Sequence, residues 1–304
     1  MEVNCEGCAG CCLDWRALAD ADLDHERRGP YEPVDGEYNL VALTRDEVRA
    51  FLDAGLGDAL RPRLWYDGER GGADGAEADD PDDASDAGVR IDGAPVAAVR
   101  GRPVFFVGLR RAPKPVAPFG RESETWLPTC VFLDPATLQC RLHDSERYPS
   151  ECAEFPGHNL KLDVETECER VEREFGGDRL LDDEPPGGMT GPLFGPQALG
   201  QKVFVHPDPD RLDGAVDRMR EGDLTAEDRA EFAAVAAAST PGTTSVNDDA
   251  YERAYEAALG ADSWVGRAVD DWRARAGDPG ERAPDAPLGD RIEGERGAPD
   301  TPGW

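Results

Sequence analysis

Apolar residues recur along this chain in two rhythms, one helical and one extended. Val48, Phe51, Leu52 and Leu56 stand three or four apart, which places their side chains on one helix face. Thr44 and Glu47 supply a capping box ahead of them, so a helix is predicted over 44–60. The same spacing returns in Leu212, Val216 and Met219, in Phe232, Val235 and Ala236, in Tyr251, Tyr255 and Leu259, and in Trp264, Val265, Val269 and Trp272. With Thr225 and Asp262 or Ser263 as N-caps and Gly260 and Gly277 as stops, these groups predict a helical subdomain over 207–277. The Trp264, Trp272 and Tyr255 stripe reads as helix core.

The extended rhythm occupies the middle of the chain. Segments 94–99 and 103–109 flank Arg100-Gly101 and predict a hairpin rich in Val and Phe. Pro113, Pro115 and Pro118 punctuate an expected loop, after which 125–134 and 138–143 read as short strands joined at Asp134-Pro135. A last strand is expected over 201–206. The stretch 67–88 contains no large apolar residue and is expected to be a disordered acidic insertion, and 278–304 a disordered tail. The predicted fold class is α+β: a small irregular cysteine-cluster domain over 1–66 and 89–206, with short strands and a helix, followed by the helical subdomain.

Charge narrows the partners. Against 33 basic residues stand 64 acidic ones, a formal charge of -31, which repels phosphate backbones and anionic lipid surfaces. Nucleic acid and membranes are therefore excluded as expected partners, while the C-terminal helices are left as a surface for a protein partner. Lysine occurs only at Lys114, Lys161 and Lys202, and the whole balance resembles the carboxylate-rich surfaces of proteins from salt-loving archaea. That pattern bears on the cell more than on function. No run approaches the roughly 18 apolar residues of a membrane helix, and 1–13 lacks the basic start and apolar core of a secretory signal. A cytoplasmic, reducing location is expected, where clustered thiols read as metal or redox sites sooner than as disulfides.

The candidate chemistry lies in eight cysteines. Cys5, Cys8 and Cys11 follow C-x-x-C-x-x-C, a spacing at which a looping backbone aims successive thiolates at one point, as in ferredoxin-type cluster loops. Cys12 doubles the third position. Adjacent side chains diverge, so Cys11 and Cys12 are not expected to complete one tetrahedron, and one of them is free for a second metal or a packing role. Cys130, Cys140 and Cys152 supply further thiols, and His143, three residues after Cys140, adds an imidazole as a weaker candidate. Cys168 lies in a polar, helical stretch with no close partner in sequence and reads as a bystander as readily as a ligand.

Four blocks in order carry a family resemblance: Cys5-Glu6-Gly7-Cys8-Ala9-Gly10-Cys11-Cys12, Cys130-Val131-Phe132-Leu133-Asp134, Cys140-Arg141-Leu142-His143, and Pro149-x-x-Cys152-x-x-Phe155-Pro156. Together they resemble the YkgJ-type cysteine-cluster family, described as chelating zinc or iron. The resemblance covers roughly 1–160 and departs from the family where Tyr148 separates Arg147 from Pro149. It implies metal chelation and little beyond it, with Cys5, Cys8, Cys11, Cys12, Cys130, Cys140 and Cys152 as the expected ligands. The excess of cysteine over histidine and the ferredoxin-like triple favour an iron-sulfur cluster of the 4Fe-4S type, with zinc as the other cofactor. A related cluster occurs in flagellin lysine-N-methylases, so a redox or methyl-transfer enzyme is one alternative, although no strand leads into a Gly-rich nucleotide loop. A structural zinc protein acting as an interaction module is the other.

Overall fold

The structure, a computed structural model, describes residues 1–19, 32–67, 88–185, 187, 189, 197–276 and 286–302. Helix and strand are mixed, and the fold is α+β. In chain order the strands are β1 (Glu2–Val3), β2 (Leu60–Leu64), β3 (Val89–Ile91), β4 (Ala94–Val96), β5 (Ala98–Val99), β6 (Arg102–Leu109), β7 (Arg111–Val116), β8 (Thr125–Cys130), β9 (Leu180–Asp182) and β10 (Phe204–Val205). The helices are α1 (Arg45–Asp53), α2 (Ser150–Glu154), α3 (Gly157–Lys161), α4 (Glu167–Phe175), α5 (Ala215–Glu221), α6 (Ala226–Ala238), α7 (Asp248–Leu259), α8 (Trp264–Ala276) and α9 (Ala286–Glu295). Among the described residues no helix is long and apolar enough to cross a membrane.

Two compact units divide the chain, one built from Met1–Leu23, Leu109–Pro192 and Asp262–Trp304, the other from Asp24–Gly108 and Leu193–Ala261. This division differs from the expected segmentation. Helices α5 to α7 do not form a subdomain of their own, because α6 is buried from Ala230 to Ala238 on every side. A helix apolar all round is a core element that other elements must enclose, and α1, β2 and α7 do so. Helix α8 instead belongs with the cysteines.

In the second unit the predicted capping box forms: the Thr44 amide donates to Glu47 Oε2 at 2.7 Å, and the Glu47 amide donates to Thr44 Oγ1 at 3.3 Å. Strand β6 lies between β10 and β2, and β5 folds back on it through Arg100 and Gly101, whose φ values are 52° and 73°. Both turn residues are left-handed, as a two-residue hairpin turn that follows the strand twist requires. A second hairpin, β3 to β4, turns at Asp92-Gly93 in the same way. Phe105 centres the core, its ring 5.7 Å from Phe204 and 4.9 Å from Phe232.

In the first unit β7 pairs antiparallel with β8 from Arg111↔Cys130 to Val116↔Thr125. The proline-punctuated loop expected here is a strand. Pro113 and Pro115 stand two apart, so their missing donors fall on one edge of β7, and the other edge remains free to bond β8. Trp272 is fully buried with its ring 6.0 Å from Trp126, and Trp264 stands 5.9 Å from Phe132.

The expected disordered tail also needs correction, since α9 buries Ile292 and Glu293. Its anchor is ionic: Glu293 Oε1 lies 2.5 Å from Lys114 Nζ and accepts from Trp272 Nε1 at 3.1 Å, and Glu293 Oε2 accepts from Arg141 Nε at 3.1 Å. An apolar periodicity search does not see such a contact. Residues 68–87 of the acidic insertion, 277 at the end of the expected helical subdomain, and 278–285, 303 and 304 of the tail lie outside the described residues.

Candidate metal centre

All eight cysteines are among the described residues, all belong to the first unit, and all are free thiols. The loop that opens the chain is pinned at several points. The Asn4 amide donates to the Arg179 carbonyl at 2.7 Å, the Phe119 amide to the Gly7 carbonyl at 2.8 Å, and the Cys12 amide to the Ala9 carbonyl at 2.8 Å. Between these anchors Gly7 and Ala9 take φ values of 63° and 54°, so the chain reverses twice and ends in a short 3-10 turn, Gly10–Cys12. Ala9 bears a Cβ in a left-handed conformation, a local strain held by its surroundings.

One side of this loop rests on α4. A Cβ on Gly10 would meet Val171 Cγ2 at 2.8 Å and Glu167 Cγ at 3.9 Å, so only glycine allows the approach. Trp15 Nε1 donates to Glu167 Oε1 at 2.5 Å and fixes the same face. Helix α4 starts at its own capping box, Thr166 with Glu169, which sets Cys168 in the first turn beneath the loop.

The other side adjoins β8. Leu13 pairs antiparallel with Thr129, and the Asp14 amide donates to the Pro128 carbonyl at 2.8 Å. That register sets Cys12 opposite Cys130. Beyond β8 the chain turns through Asp134 and comes back, Leu133 pairing with Cys140 and the Arg141 amide donating to the Phe132 carbonyl at 2.8 Å. Cys152 follows in α2, which begins after Pro149.

Electrostatics reports the same neighbourhoods. Burial, then the charges of Cys11 and Cys8, pushes the Cys5 thiol up to about 12. Cys8 is pushed up to about 11 by burial, against a lowering by the Gly10 amide and by the charge of Arg179. Cys168 rises through burial and then through Cys11, Cys5 and Cys8. Cys140 is pushed up to about 12 by burial and then by Cys130. Cys152 rises through burial and then through Cys130, Cys140 and Cys11. The hydrogen bond between the adjacent thiols lowers Cys11 and raises Cys12, on which burial and the charges of Cys11, Cys130 and Cys152 also act.

The divergence expected of Cys11 and Cys12 therefore takes a particular form. The two thiols act on one another, and beyond that Cys11 bears on Cys5, Cys168 and Cys152, while Cys12 is acted on by Cys130 and Cys152. Cys168, which has no partner in sequence, has three in space. Its Thr166-x-x-Glu169 box is the sequence signal that places it. His143 directs its ring to Tyr148 at 5.1 Å, and its Nδ1 lies 3.5 Å from Asp144 Oδ2.

The charges of cationic side chains bear on the thiols, and no sequence pattern marked those residues. Arg111 is 9% exposed, its Nη1 is buried with no hydrogen-bond partner, and its charge bears on Cys11 and Cys130. Lys114, fully buried in β7, bears on Cys130 and Cys140. Sulfur ligands around a cation carry net negative charge, which such groups offset. As the side chains stand, no group of three or more Cys, His, Asp or Glu among the described residues has the arrangement to hold a metal ion. The donor chemistry nevertheless fits a soft or borderline cation: thiols in excess, few imidazoles, and cations close by.

Fold and site together define an α+β protein that gathers thiols from three separate stretches into one unit. The whole chain, residues 1–304, matches the model of a family described as a family of unknown function, DUF7531, and the protein belongs to that family. No curated protein and no solved structure matches it.

Proposed function

We propose that the protein binds metal, either zinc or an iron-sulfur cluster, through the thiolates of Cys5, Cys8, Cys11, Cys12, Cys130, Cys140 and Cys152. The observation that carries this reading is the pairing of Leu13 with Thr129, which sets Cys12 of the pinned loop opposite Cys130, more than a hundred residues away in sequence. A packing role for small apolar side chains does not call for that much construction, nor for Arg111 and Lys114 beside them. Buried thiols with raised pKa values stay protonated at neutral pH, and a bound cation is what turns them into thiolates. The metal would join the loop, β8 and α2, and contribute directly to the stability of the first unit.

Anaerobic purification followed by metal analysis and an absorption spectrum tests the reading. A broad band near about 400 nm with several irons per chain identifies a cluster. Colourless protein carrying zinc identifies the alternative metal. Metal at background contradicts the proposal.

A further inference from the structure

We propose that the thiols form two separate four-thiolate centres, one on Cys5, Cys8, Cys11 and Cys168 and the other on Cys12, Cys130, Cys140 and Cys152. This inference rests on the metal-binding reading above and extends it in ligand set and in number of centres. Four sulfurs complete a tetrahedral zinc site or the ligand set of one cluster, so eight thiols divided four and four leave no cysteine over.

Backbone placement makes the division. The first group lies on two elements, the opening loop and the first turn of α4, which Gly10 brings to van der Waals contact at Val171 and Glu167. The second lies on three: Cys12 opposite Cys130 through the Leu13↔Thr129 pair, Cys140 returned to the end of β8 by the Leu133 pair, and Cys152 in α2. The thiol charges follow the same line in their leading members, Cys168 with Cys11, Cys5 and Cys8, and Cys152 with Cys130 and Cys140 ahead of Cys11, which stands at the junction of the two groups. Each group has its own cation: the charge of Arg179 bears on Cys8, and that of Lys114 on Cys130 and Cys140. Arg111 bears on both Cys11 and Cys130 and so sits where the two groups meet. The peptide between Cys11 and Cys12 is the seam, which explains why the motif doubles its last cysteine.

The test uses the full chain, purified anaerobically and reconstituted with zinc alone or with iron and sulfide, together with Cys168→Ser, Cys152→Ser and the double variant. Two centres predict about two zincs, or two clusters' worth of iron, in the unaltered chain, roughly half of that in each single variant, and background in the double. One centre's worth of metal in the unaltered chain, or unchanged loading of Cys168→Ser, overturns the division while leaving the metal-binding reading intact. Background metal in the unaltered chain defeats that reading itself. Where a variant does not fold, alkylation of the loaded, unaltered chain read by mass spectrometry decides: all eight thiols protected supports two centres, and Cys168 labelled as fast as in chelator-treated protein overturns them.

Discussion

Gly10 shows how much of the site depends on single atoms. A methyl group there meets Val171 Cγ2 at 2.8 Å, and Val171 is fully buried with a branched, stiff side chain, so the loop and α4 must separate. Gly10→Ala is expected to lose about 1–3 kcal/mol in denaturant unfolding, the usual cost of overpacking, and to lose metal from the Cys168 side first. Unchanged stability and loading would remove the close contact from the account. In the second unit, burial raises the Asp228 carboxyl, but Arg218, bonding both oxygens at 2.7 Å, and the Thr225 cap outweigh it and leave the group below its ordinary range. A carboxylate depressed in the folded state stabilises above its unfolded pKa and loses that contribution as pH falls through the folded value. Asp228→Asn should therefore lower stability at neutral pH and flatten its decline in acid below about pH 4, as read by unfolding at fixed salt. At this scale the run of Cys5, Cys8, Cys11 and Cys12 is visible in its spacing, whereas Cys168 has no such signal. Arg111, Lys114 and Arg179 were not legible either, because no local rule links an arginine to a thiol brought near it by tertiary folding.

Elements with local signatures were legible, and those fixed by distant partners were not. Thr44, Thr166 and Thr225 each open a helix with a full capping box. Thr166→Ala should cost about 1 kcal/mol and loosen the turn that carries Cys168, which hydrogen exchange of the α4 amides would register. The Asp92-Gly93 hairpin had its turn signal in the sequence. Strand β7 was hidden by its prolines, and α9 by its dependence on Glu293, whose partners lie in β7, α8 and the Asp134 turn. Glu293→Gln leaves Lys114 and Arg141 buried without their shared counter-charge, and a loss of about 3–5 kcal/mol is expected. A loss below about 1 kcal/mol would mean that α9 does not hold the end of β8 at Cys130 and the returning segment at Cys140.

At the scale of the whole molecule, the formal charge of -31 sets the conditions under which the fold persists. In dilute buffer the screening length grows to about 30 Å, and carboxylates across the surface repel one another. The melting temperature is expected to rise steeply from dilute buffer to molar potassium chloride, and an equal value in both would contradict the halophilic reading. The division into units could not be read from the sequence, since both units are built from separated stretches and α6 is enclosed by elements far from it in the chain. The proposed centres need the first unit's register and caps to bring the thiols together. X-ray absorption at the metal edge of the anaerobically purified chain tests that most directly. The account predicts a first shell made of sulfur alone, at about 2.3 Å, whereas a shell of oxygen or nitrogen would contradict it.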